Sequence, residues 1–473
     1  MPKVYSISDF KQGLDTRKTP LTAPGGSLRI LENAVINQGG EIEKRYAFVK
    51  MTTLPAGYQY LFGQGNSLHA FIVGASAPTI PPGSLPVPIV GHALAPPAGD
   101  TITSIIDVEA FADKFFVCGQ GSSGNTYCWY DGALVKEVDG TDSRGTYART
   151  WRSKMYRIDG DYLRFSGVNN PAQNDPNSVN EPGAGFINMA LNDPDGENLQ
   201  AMEVYYTQMA IMARLQTQMW TLNPDLTQDQ IGQLLRIGCV APRSTVQFGT
   251  GDVLFLSDSG VRSLHAMNIN LAASVSDVGS AIDLILVPLI QTNFAAAKIA
   301  EAVVQPLRGR YWLALADTVY VLSYFPAGDI TAWSTFKPGF NITHFALVGN
   351  QVYCEDDQQN IYLYGGLDNQ TYGNDYAVTV RTPHLSADAP TENKRIKSVD
   401  LMCQGQWSLS IGMVPNNTDI FELVGTMVDN TYGYMSIPFA GYGTHFGVQL
   451  VHQGDGPALL AAIHLNIFEG VTK

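Results

Sequence analysis

The sequence predicts an all-β protein, in which a β-propeller of about six blades precedes a C-terminal β-sandwich and helices are few and short. Before residue 374, short apolar or alternating runs recur between turns rich in Gly, Asn and Asp. Successive turn centres lie roughly 40 to 50 residues apart, the period of a four-stranded propeller blade. After residue 374 the runs keep their alternation but lose this period. Counts of about five or seven blades also fit the pattern.

The clearest repeat is FALVGNQVYCEDDQQNIYLY at residues 345–364, where three strand-like runs are separated by Gly349-Asn350 and by the polar run 356–360. Gly-Asn supplies the positive φ of a tight hairpin turn, and the polar run cannot be buried, so the chain folds back twice. Related units occur at residues 58–73, 108–138, 147–165, 199–222, 246–267 and 302–333.

Residues 1–56 are predicted to form an opening segment in front of a propeller that spans 57–373. Two strand-like runs, 28–36 and 41–49, are joined by the turn at 38–40. Because an isolated two-stranded hairpin is marginal in water, we expect this segment to close the propeller ring or to contact a neighbouring subunit.

Two insertions of the propeller are predicted to be loops, and two to be helical. Residues 76–100 are dense in proline, which removes backbone donors and favours an extended loop. Residues 169–198 are a long loop rich in Asn, Asp, Pro and Gly. Residues 227–237 have Thr227 as a helix N-cap and apolar residues at helical spacing. Residues 276–302 predict a helix interrupted near Pro288.

Residues 374–473 are predicted to form the separate β-sandwich, with about seven or eight strands. Each run is short and is bounded by Pro, Gly, Asn or Asp. Trp407, Leu409 and Ile411 alternate with Ser408 and Ser410, which indicates a strand with one buried face.

Composition excludes several classes of function. The five cysteines are odd in number and lack CxxC spacing, which argues against a disulfide framework or a structural zinc site. A formal net charge of -14 repels a phosphate backbone and disfavours sequence-specific DNA binding. The N-terminal stretch lacks a signal-peptide core, and no run is long enough to span a membrane, so we expect a cytosol-like compartment and no membrane insertion.

No motif predicts catalysis, a cofactor or a metal, and we expect no enzyme activity. Gly119–Gly124 joins two strands and lacks the Lys of a phosphate-binding loop. Asp356-Asp357 could serve a propeller glycosidase, but solvated turn carboxylates explain the pair more simply. The eight histidines show no metal-binding spacing and are expected to be satisfied by hydrogen bonds: His69, His92, His265, His344, His384, His445, His452 and His464.

Two further segments have a functional and a structural interpretation. The stretch Asp193–Asn198 partly matches a calcium loop, because alternating oxygens before a Gly can wrap a hard cation. It lacks the third aspartate and the distant Glu, so a polar turn is favoured. Residues 147–164 interleave basic and aromatic side chains, a pattern that could stack single-stranded nucleic acid. The same alternation is typical of a half-exposed strand pair, which we favour.

Four stretches resemble the podovirus tail nozzle proteins, the family that includes tail tubular protein B and the packaged-DNA stabilisation proteins. They are GGSLRILENAVINQGGEIEKRYAFV at 25–49, VLFLSDSGVRSL at 253–264, ITAWSTF at 330–336, and TPHL at 382–385 followed by KRIKSVDL at 394–401. The resemblance implies a propeller with appended β domains that assembles as a six-fold ring at the distal end of a short phage tail.

This resemblance also implies partners and a location. The protein would assemble in the host cytoplasm, become part of the virion, attach to the tail adaptor and anchor fibres or spikes. Its ring would surround the channel that retains and releases genomic DNA, without reading the sequence. An acidic lumen fits this use, because like charge lets a duplex slide without sticking. The alternative is a propeller that binds or cleaves glycans through acids or aromatic residues in its central pocket.

Overall fold

The computed structural model describes residues 2–74, 76–81, 83–94, 100–131, 135–137, 144–177, 183–192, 196–222, 230–249, 251–265, 277–431 and 435–469. Strands account for 54% of the structure and helices for 7%, which confirms the predicted all-β class. No described helix has the length and apolar character needed to cross a bilayer.

The N-terminal segment contributes seven strands, and these go to different parts of the molecule. They are β1 (Pro2–Ile7), β2 (Gly13–Leu14), β3 (Ser27–Leu28), β4 (Ile30–Glu32), β5 (Ala34–Ile36), β6 (Ile42–Lys44) and β7 (Phe48–Thr53).

Seven small groups of strands follow, which we call sheets 1 to 7 in chain order. Six of them are separate sheets, whereas sheet 6 is one end of a larger hydrogen-bonded sheet that also contains the C-terminal strands. Sheet 1 contains β8 (Tyr58–Gln64), β9 (Ser67–Val73) and β10 (Ile89–Leu94). Sheet 2 contains β11 (Ile102–Phe111), β12 (Lys114–Gly121), β13 (Thr126–Asp131) and β14 (Val135–Glu137). Sheet 3 contains β15 (Tyr147–Trp151), β16 (Lys154–Asp159), β17 (Tyr162–Phe165) and β18 (Gly185–Asn188).

The remaining four groups complete this part of the chain. Sheet 4 contains β19 (Ala201–Tyr205), β20 (Gln208–Met212), β21 (Thr217–Thr221) and β22 (Gln230–Leu235). Sheet 5 contains β23 (Val246–Phe248), β24 (Asp252–Ser257) and β25 (Gly260–Ser263). Sheet 6 contains β26 (Glu301–Gln305), β27 (Arg310–Leu315), β28 (Thr318–Phe325) and β29 (Ile330–Phe336). Sheet 7 contains β30 (Ile342–Val348), β31 (Gln351–Asp356), β32 (Asn360–Tyr364) and the N-terminal strand β7.

The first strands of these sheets contact one another in chain order. Contacts join β8 to β11, β11 to β15, β15 to β19, β19 to β23, β23 to β26 and β26 to β30, and β30 in turn contacts β8. Buried apolar clusters lie between neighbouring sheets, for example around Tyr156 and Met209 for sheets 3 and 4. The apolar faces that a single meander leaves open are thus covered by the next sheet.

The six C-terminal strands form one hydrogen-bonded system with part of the N-terminal segment. They are β33 (Val378–Arg381), β34 (Lys394–Gly412), β35 (Glu422–Asn430), β36 (Ser436–Gly443), β37 (Gly447–His452) and β38 (Leu459–Glu469). The long strand β34 pairs with β36 and β38 along its first half and with β35 and β37 along its second half.

N-terminal strands connect this C-terminal region to the seven sheets. Strand β1 pairs antiparallel with β38, from Pro2 opposite Phe468 to Ile7 opposite Ile463. Strand β6 also pairs with β38, and β4 pairs with both β29 and β33. The predicted unit 1–56 is therefore divided, because β7 completes sheet 7 while β1 and β4–β6 belong to the C-terminal sheet system.

The helix predicted at 227–237 is wrong over its described part. Residues Gln230–Leu235 form β22, which pairs with β21, and residues 227–229 lie outside the described chain. Ile231 and Leu234 are exposed, and a register shift between Met219 and Trp220 disturbs the alternation of the pair. A bulged edge strand therefore explains the spacing of the apolar residues. Pairing with β21 outweighs the local helix preference of the segment.

The helix predicted within 276–302 is present, but its interruption is misplaced. Helix α1 (Asp283–Thr292) contains Pro288, and α2 (Phe294–Lys298) follows directly. The break falls at Asn293, whose side chain accepts a hydrogen bond from the Ala296 N–H at 3.3 Å as the cap of α2. Short 3-10 helices occur at Met189–Asn192, Pro242–Ser244, Pro306–Arg308 and Pro326–Gly328.

Both predicted long loops contain a strand that sequence analysis missed. In 76–100, β10 occupies the proline-free stretch after Pro88 and runs parallel to β9. In 169–198, β18 pairs with β17 as the fourth strand of sheet 3. In each case the insertion returns to the sheet because the outer strand offers unpaired backbone groups.

Candidate functional site

Ionisable and aromatic side chains meet where the first strands of the seven sheets converge. Because each first strand is bonded to its own sheet on one side only, its other edge needs hydrogen-bond partners from the neighbouring sheet. We call this set the ionic belt, and it consists of Tyr60, Asp107, Glu109, Tyr147, Arg149, Glu203, Arg243, Glu301 and His344.

Carboxylates of the belt bind the backbone of the next sheet. The Ala148 N–H donates to Asp107 Oδ2 at 2.9 Å, and the Thr150 N–H donates to Glu109 Oε1 at 2.9 Å, so β11 is tied to β15. In the same way the Phe345 N–H donates to Glu301 Oε1 at 2.8 Å and ties β26 to β30. These bonds satisfy edge donors that a β-ladder leaves unpaired.

Arg149 is the centre of one half of the belt. Its guanidinium lies 3.5 Å from Asp107, 3.6 Å from Glu109 and 3.2 Å from Glu203, so it joins sheets 2, 3 and 4. It also lies over the Tyr147 ring, 4.2 Å from the centroid, and donates to that hydroxyl. The arginine fork suits several carboxylates at once, which a lysine could not match.

Arg243, Glu301 and His344 form the other half. Arg243 Nη1 lies 3.2 Å from Glu301 and 3.1 Å from His344 Nδ1, while that nitrogen lies 3.2 Å from Glu301. His344 Nε2 is 3.1 Å from the Gln59 carbonyl oxygen, so Nε2 carries the hydrogen because a carbonyl can only accept. This bond joins sheet 7 to sheet 1.

In the belt, the cost of burying each charge is offset by neighbouring charges of opposite sign. Burial raises the pKa of Glu109 to about 7 against the attraction of Arg149, and burial also raises the pKa of Asp107. Burial acts to raise the pKa of Glu301 as well. His344 and Arg243 outweigh this effect, and the pKa of Glu301 lies below its usual value. Close to neutral pH the belt can therefore take up or release a proton at Glu109 while its arginines stay charged.

A separate cavity of about 820 Å³ lies beside sheets 4, 5 and 6. Its aromatic lining includes Tyr206, Phe248 and Tyr324, the last two with ring centroids 5.7 Å apart in an edge-to-face arrangement. Asp252 lies in the wall, where burial raises its pKa, and Ser263 Oγ donates to its carboxylate at 2.6 Å. Aromatic rings with a fixed carboxylate offer stacking and a polar anchor to a small ligand.

The structure places the candidate histidines at separate positions. His344 belongs to the ionic belt, and His265 lines the cavity. In sheet 1, His69 Nδ1 lies 2.9 Å from His92 Nε2. The others lie in the C-terminal region: His384, His445, His452 and His464. Within the described ranges, no three residues of the types His, Cys, Asp and Glu are grouped so that they could hold a metal ion.

The other sequence candidates have structural roles where they are described. Gly119–Gly124 spans the turn between β12 and β13, where Asp100 accepts hydrogen bonds from Ser122 and Ser123. Asp193–Asn198, the possible calcium loop, lies partly outside the described chain, because 193–195 are not included.

The solvated turn predicted at Asp356-Asp357 is wrong for its first member. Asp356 is buried and accepts from the Gln358 and Asn360 N–H groups at 2.8 Å each, because its side chain organises the β31–β32 turn. Asp357 is exposed, as predicted.

The basic and aromatic stretch 147–164 forms strands, as favoured, but it covers β15, β16 and most of β17, and β16 is buried and not half-exposed. Lys154 and Arg157 are buried, and Arg157 Nε donates to the Arg144 carbonyl at 2.9 Å. Arg149 belongs to the ionic belt, and Arg164 pairs with Asp159 at 2.7 Å. Each of these cations already has a partner within the protein, which disfavours their use by a nucleic-acid strand.

Sequence reasoning did not find the ionic belt, although a signal exists. Each repeat carries polar residues inside the apolar run of its first strand, as in DVEA, YART, MEVY, AEAV and THFA. A single such residue looks like one on the solvent-exposed face of a half-buried strand. Aligning the first strands of these five repeats would have shown that each carries an ionisable residue within its apolar run.

Comparisons with known proteins show no family. No protein-family model matches the chain, and no curated protein matches it. Among solved structures, the chain is similar to the computationally designed Ika8 protein, with 9% identity, 68% of this chain and 97% of that one covered, and a TM-score of 0.34. It is also similar to PorZ, a surface component of the type-IX secretion system of Porphyromonas gingivalis, with 13% identity and a TM-score of 0.38. That match covers 72% of this chain and 48% of PorZ, and both scores are too low to bear on fold or function.

Proposed function

We propose that residues 57–373 form a seven-bladed β-propeller closed by β7, and that the C-terminal region is a β-sandwich that shares β34 between its two faces. The cyclic contacts of the first strands support the first part, as does the use of an N-terminal strand to complete the last sheet. The division of β34 between two sets of partners supports the second.

On this architecture we propose a structural virion protein that forms the nozzle ring of a short phage tail, as the four sequence stretches suggest. The observation that carries the assembly is a set of exposed apolar side chains on and beside β35 and β36, which we call the β35–β36 surface. Its exposed members are Val414, Ile420, Leu423, Val428, Met435 and Tyr442. Within the described chain, β35 and β36 each pair with β34 alone, so each has an open edge beside this surface. Exposed apolar side chains on strands with open edges favour contact with another protein.

A homohexameric ring is the proposed assembly, with the tail adaptor and a fibre or spike as further partners. The ionic belt fills the place where the sheets converge, so the DNA channel would be the space enclosed by several subunits. The net charge of -14 suits a lumen past which a duplex slides without sequence-specific contacts. In this proposal the protein is located in the virion tail and performs no catalysis.

The decisive experiment images the purified protein by electron microscopy and measures its mass by light scattering, with and without a tail adaptor. We expect six-fold rings. Leu423→Ser should weaken ring formation, whereas Leu191→Ser, which changes an exposed leucine of the seven-sheet region, should not. Particles that remain monomeric at every concentration with the adaptor present would refute the assembly.

The cavity of about 820 Å³ favours the second candidate, a glycan-binding or glycan-cleaving propeller. Tyr206, Phe248 and Tyr324 could stack on sugar rings beside Asp252. A glycan array would detect such binding, and Tyr324→Ala should abolish it while Tyr442→Ala, on the β35–β36 surface, should not. A monomer that binds a glycan through Tyr324 would favour this candidate over the nozzle ring.

A further inference from the structure

A second, smaller cavity contains two arginines and lies between the N-terminal hairpin and sheet 6. It measures about 520 Å³ and is lined by the turn of the β5–β6 hairpin, by the 3-10 helix before β27 and by the start of β27. The lining residues used below are Gly39, Glu43, Leu307, Arg308 and Arg310. None of them belongs to the ionic belt or to the β35–β36 surface.

Arg310 is buried, and among the described residues it forms no salt bridge. Only 3% of its surface is exposed, and no carboxylate of the described residues lies within 4.0 Å of its guanidinium. Among the described residues, no acceptor lies within hydrogen-bond distance of its Nε. A buried guanidinium that lacks a carboxylate is costly, which distinguishes Arg310 from Arg149 and Arg243 in the ionic belt.

Two side chains beside Arg310 also lack hydrogen-bond partners among the described residues. Gln305 and Ser323 lie directly opposite Arg310 on the two neighbouring strands, so the three side chains point to one face of sheet 6. Gln305 Oε1 and Ser323 Oγ are buried and have no hydrogen-bond partner among the described atoms. Several unsatisfied polar groups in one row, next to a cavity, indicate a place that a polar guest completes.

Arg308 gives the cavity its second cation. Its Nη2 donates to the Tyr46 hydroxyl at 3.1 Å, and the guanidinium lies 4.8 Å from the centre of that ring. This contact fixes one end of the fork and leaves the remaining N–H groups available to an acceptor. The side chain is half-buried, so it can reach a group that enters from solvent.

The net charge of the cavity indicates which charge its ligand should carry. Arg308 and Arg310 supply two positive charges and Glu43 one negative charge, so one positive charge remains. A singly charged carboxylate neutralises it, whereas a doubly charged phosphate would leave an excess of negative charge beside Glu43. Guanidinium forks also match the planar, two-oxygen geometry of a carboxylate.

We propose that the cavity between the β5–β6 hairpin and sheet 6 is a binding site for a carboxylate group, held by Arg310 and Arg308. The inference does not depend on the proposed ring assembly. The carboxylate can belong to a small free acid or to the terminus of a protein chain. Leu307, 76% exposed at the mouth, offers an apolar contact that a chain terminus would use and acetate would not.

The test measures the unfolding temperature of the full chain in sodium acetate, in acetamide and in sodium chloride at matched ionic strength. We expect acetate to raise it in a saturable way, and the other two not to. Arg310→Met should remove the acetate response, with an affinity loss of about tenfold or more, because a charge-assisted pair is lost. Without acetate, Arg310→Met should unfold at the same or a higher temperature than the wild type, because the buried charge has gone.

Controls separate this site from general effects of salt and folding. Arg214→Met changes an exposed arginine that pairs with Asp258 at 2.9 Å, and it should keep the full acetate response. Arg308→Met provides a second, less buried variant if Arg310→Met does not fold, and it should weaken the response. A larger response to N-acetyl-leucine than to acetate, absent for its amide, would identify a chain terminus as the guest.

Three outcomes would overturn the inference. The first is an equal response to acetate and chloride in the wild type. The second is an unchanged acetate response in both arginine variants. The third is a saturable response to sodium phosphate that equals or exceeds the acetate response and that Arg310→Met removes, which would contradict the assignment of a singly charged guest.

Discussion

The seven-sheet region and the C-terminal region have different interiors. In the first, acids and arginines lie inside, where the first strands converge and Arg149 contacts three carboxylates. In the second, Trp407, Leu409 and Ile411 form an apolar interior, and further apolar side chains such as Leu423 remain on the surface. Buried ion pairs require one geometry, whereas exposed apolar strands accept a partner.

This contrast assigns different tasks to the two regions. The belt carboxylates bind the backbone of the next sheet, so they fix how the sheets are arranged around one another. The C-terminal strands are fixed by ladder pairing to β34 and by a continuous core, which leaves the β35–β36 surface free for other contacts. Disrupting each region should therefore have distinct effects.

The largest effect is expected from Arg149→Met, which removes the central cation of the belt. Asp107, Glu109 and Glu203 would remain close together without their partner, and we expect the unfolding free energy to fall by about 3–5 kcal/mol. Urea unfolding followed by tryptophan fluorescence would measure the loss. In the control Arg214→Met, an exposed pair is broken, and the loss should stay below about 1 kcal/mol. Equal losses in the two variants would contradict a special role for the belt.

The next effect concerns pH and Glu355, a buried residue of β31 close to the belt. Burial, with the charges of Glu301 and Asp356, raises its pKa from 4.5 to about 8. Between these values the folded protein binds a proton that the unfolded chain releases, so stability is present at low pH and is lost as pH rises through about 8.

Glu355→Gln tests this directly. Between about pH 5.5 and 7.5, the unfolding free energy of the wild type should fall more steeply than that of the variant, by up to about 1.4 kcal/mol per pH unit. Urea titrations at several pH values would measure both slopes. Glu422→Gln, which removes an exposed carboxyl of β35, is the matched control. Parallel wild-type and Glu355→Gln curves would show that Glu355 is not protonated in the folded protein.

Much of the strand pattern was predictable, because local alternation and turn residues determine it. The three strands of 345–364 and the alternation at Trp407, Leu409 and Ile411 are confirmed. The partners of these strands were not predictable. Strand β7 joins β32 from more than 300 residues away, and β1 pairs with β38, because sheet edges accept whichever strand the tertiary fold brings to them.

The candidate sites were harder to predict for a related reason. Glu109, Glu203 and Glu301 lie in different repeats, and each alone looks like a solvent-facing residue of a half-buried strand. Only the convergence of the first strands brings them to one place. Arg310 was missed because its burial without a salt bridge to any described carboxylate is a property of the packed structure, not of the sequence.

A smaller effect is expected from the cysteine pair of sheet 2. Cys118 and Cys128 face each other on β12 and β13, with 3.1 Å between their Sγ atoms. The azo oxidant diamide should take two hydrogens from the thiols and form a disulfide, because directly paired strand residues lie within bridging distance. The rigid sheet would then gain about 2–3 kcal/mol, the value expected for such a short loop.

Mass spectrometry and thiol titration would detect this bridge as a loss of about two mass units and two thiols. Burial raises the pKa of the Cys118 thiol, so the reaction should be slow at neutral pH. Cys128→Ala is the control and should gain no stability from diamide. Oxidation that is fast, or that lowers stability, would show that sheet 2 is more open than its packing indicates.

The smallest effect on folding is expected at the β35–β36 surface. Leu423 lies opposite Ser410 on β34 and is 69% exposed, whereas the adjacent Leu409 points to the other face and is fully buried. Leu423→Ser should change the unfolding free energy of the monomer by about 0.5 kcal/mol or less, and Leu409→Ala should lower it by about 2–5 kcal/mol. Urea unfolding at low protein concentration would compare them. A large loss for Leu423→Ser in the monomer would mean that this side chain supports its own chain, and the β35–β36 surface would then lose its distinction from the interior.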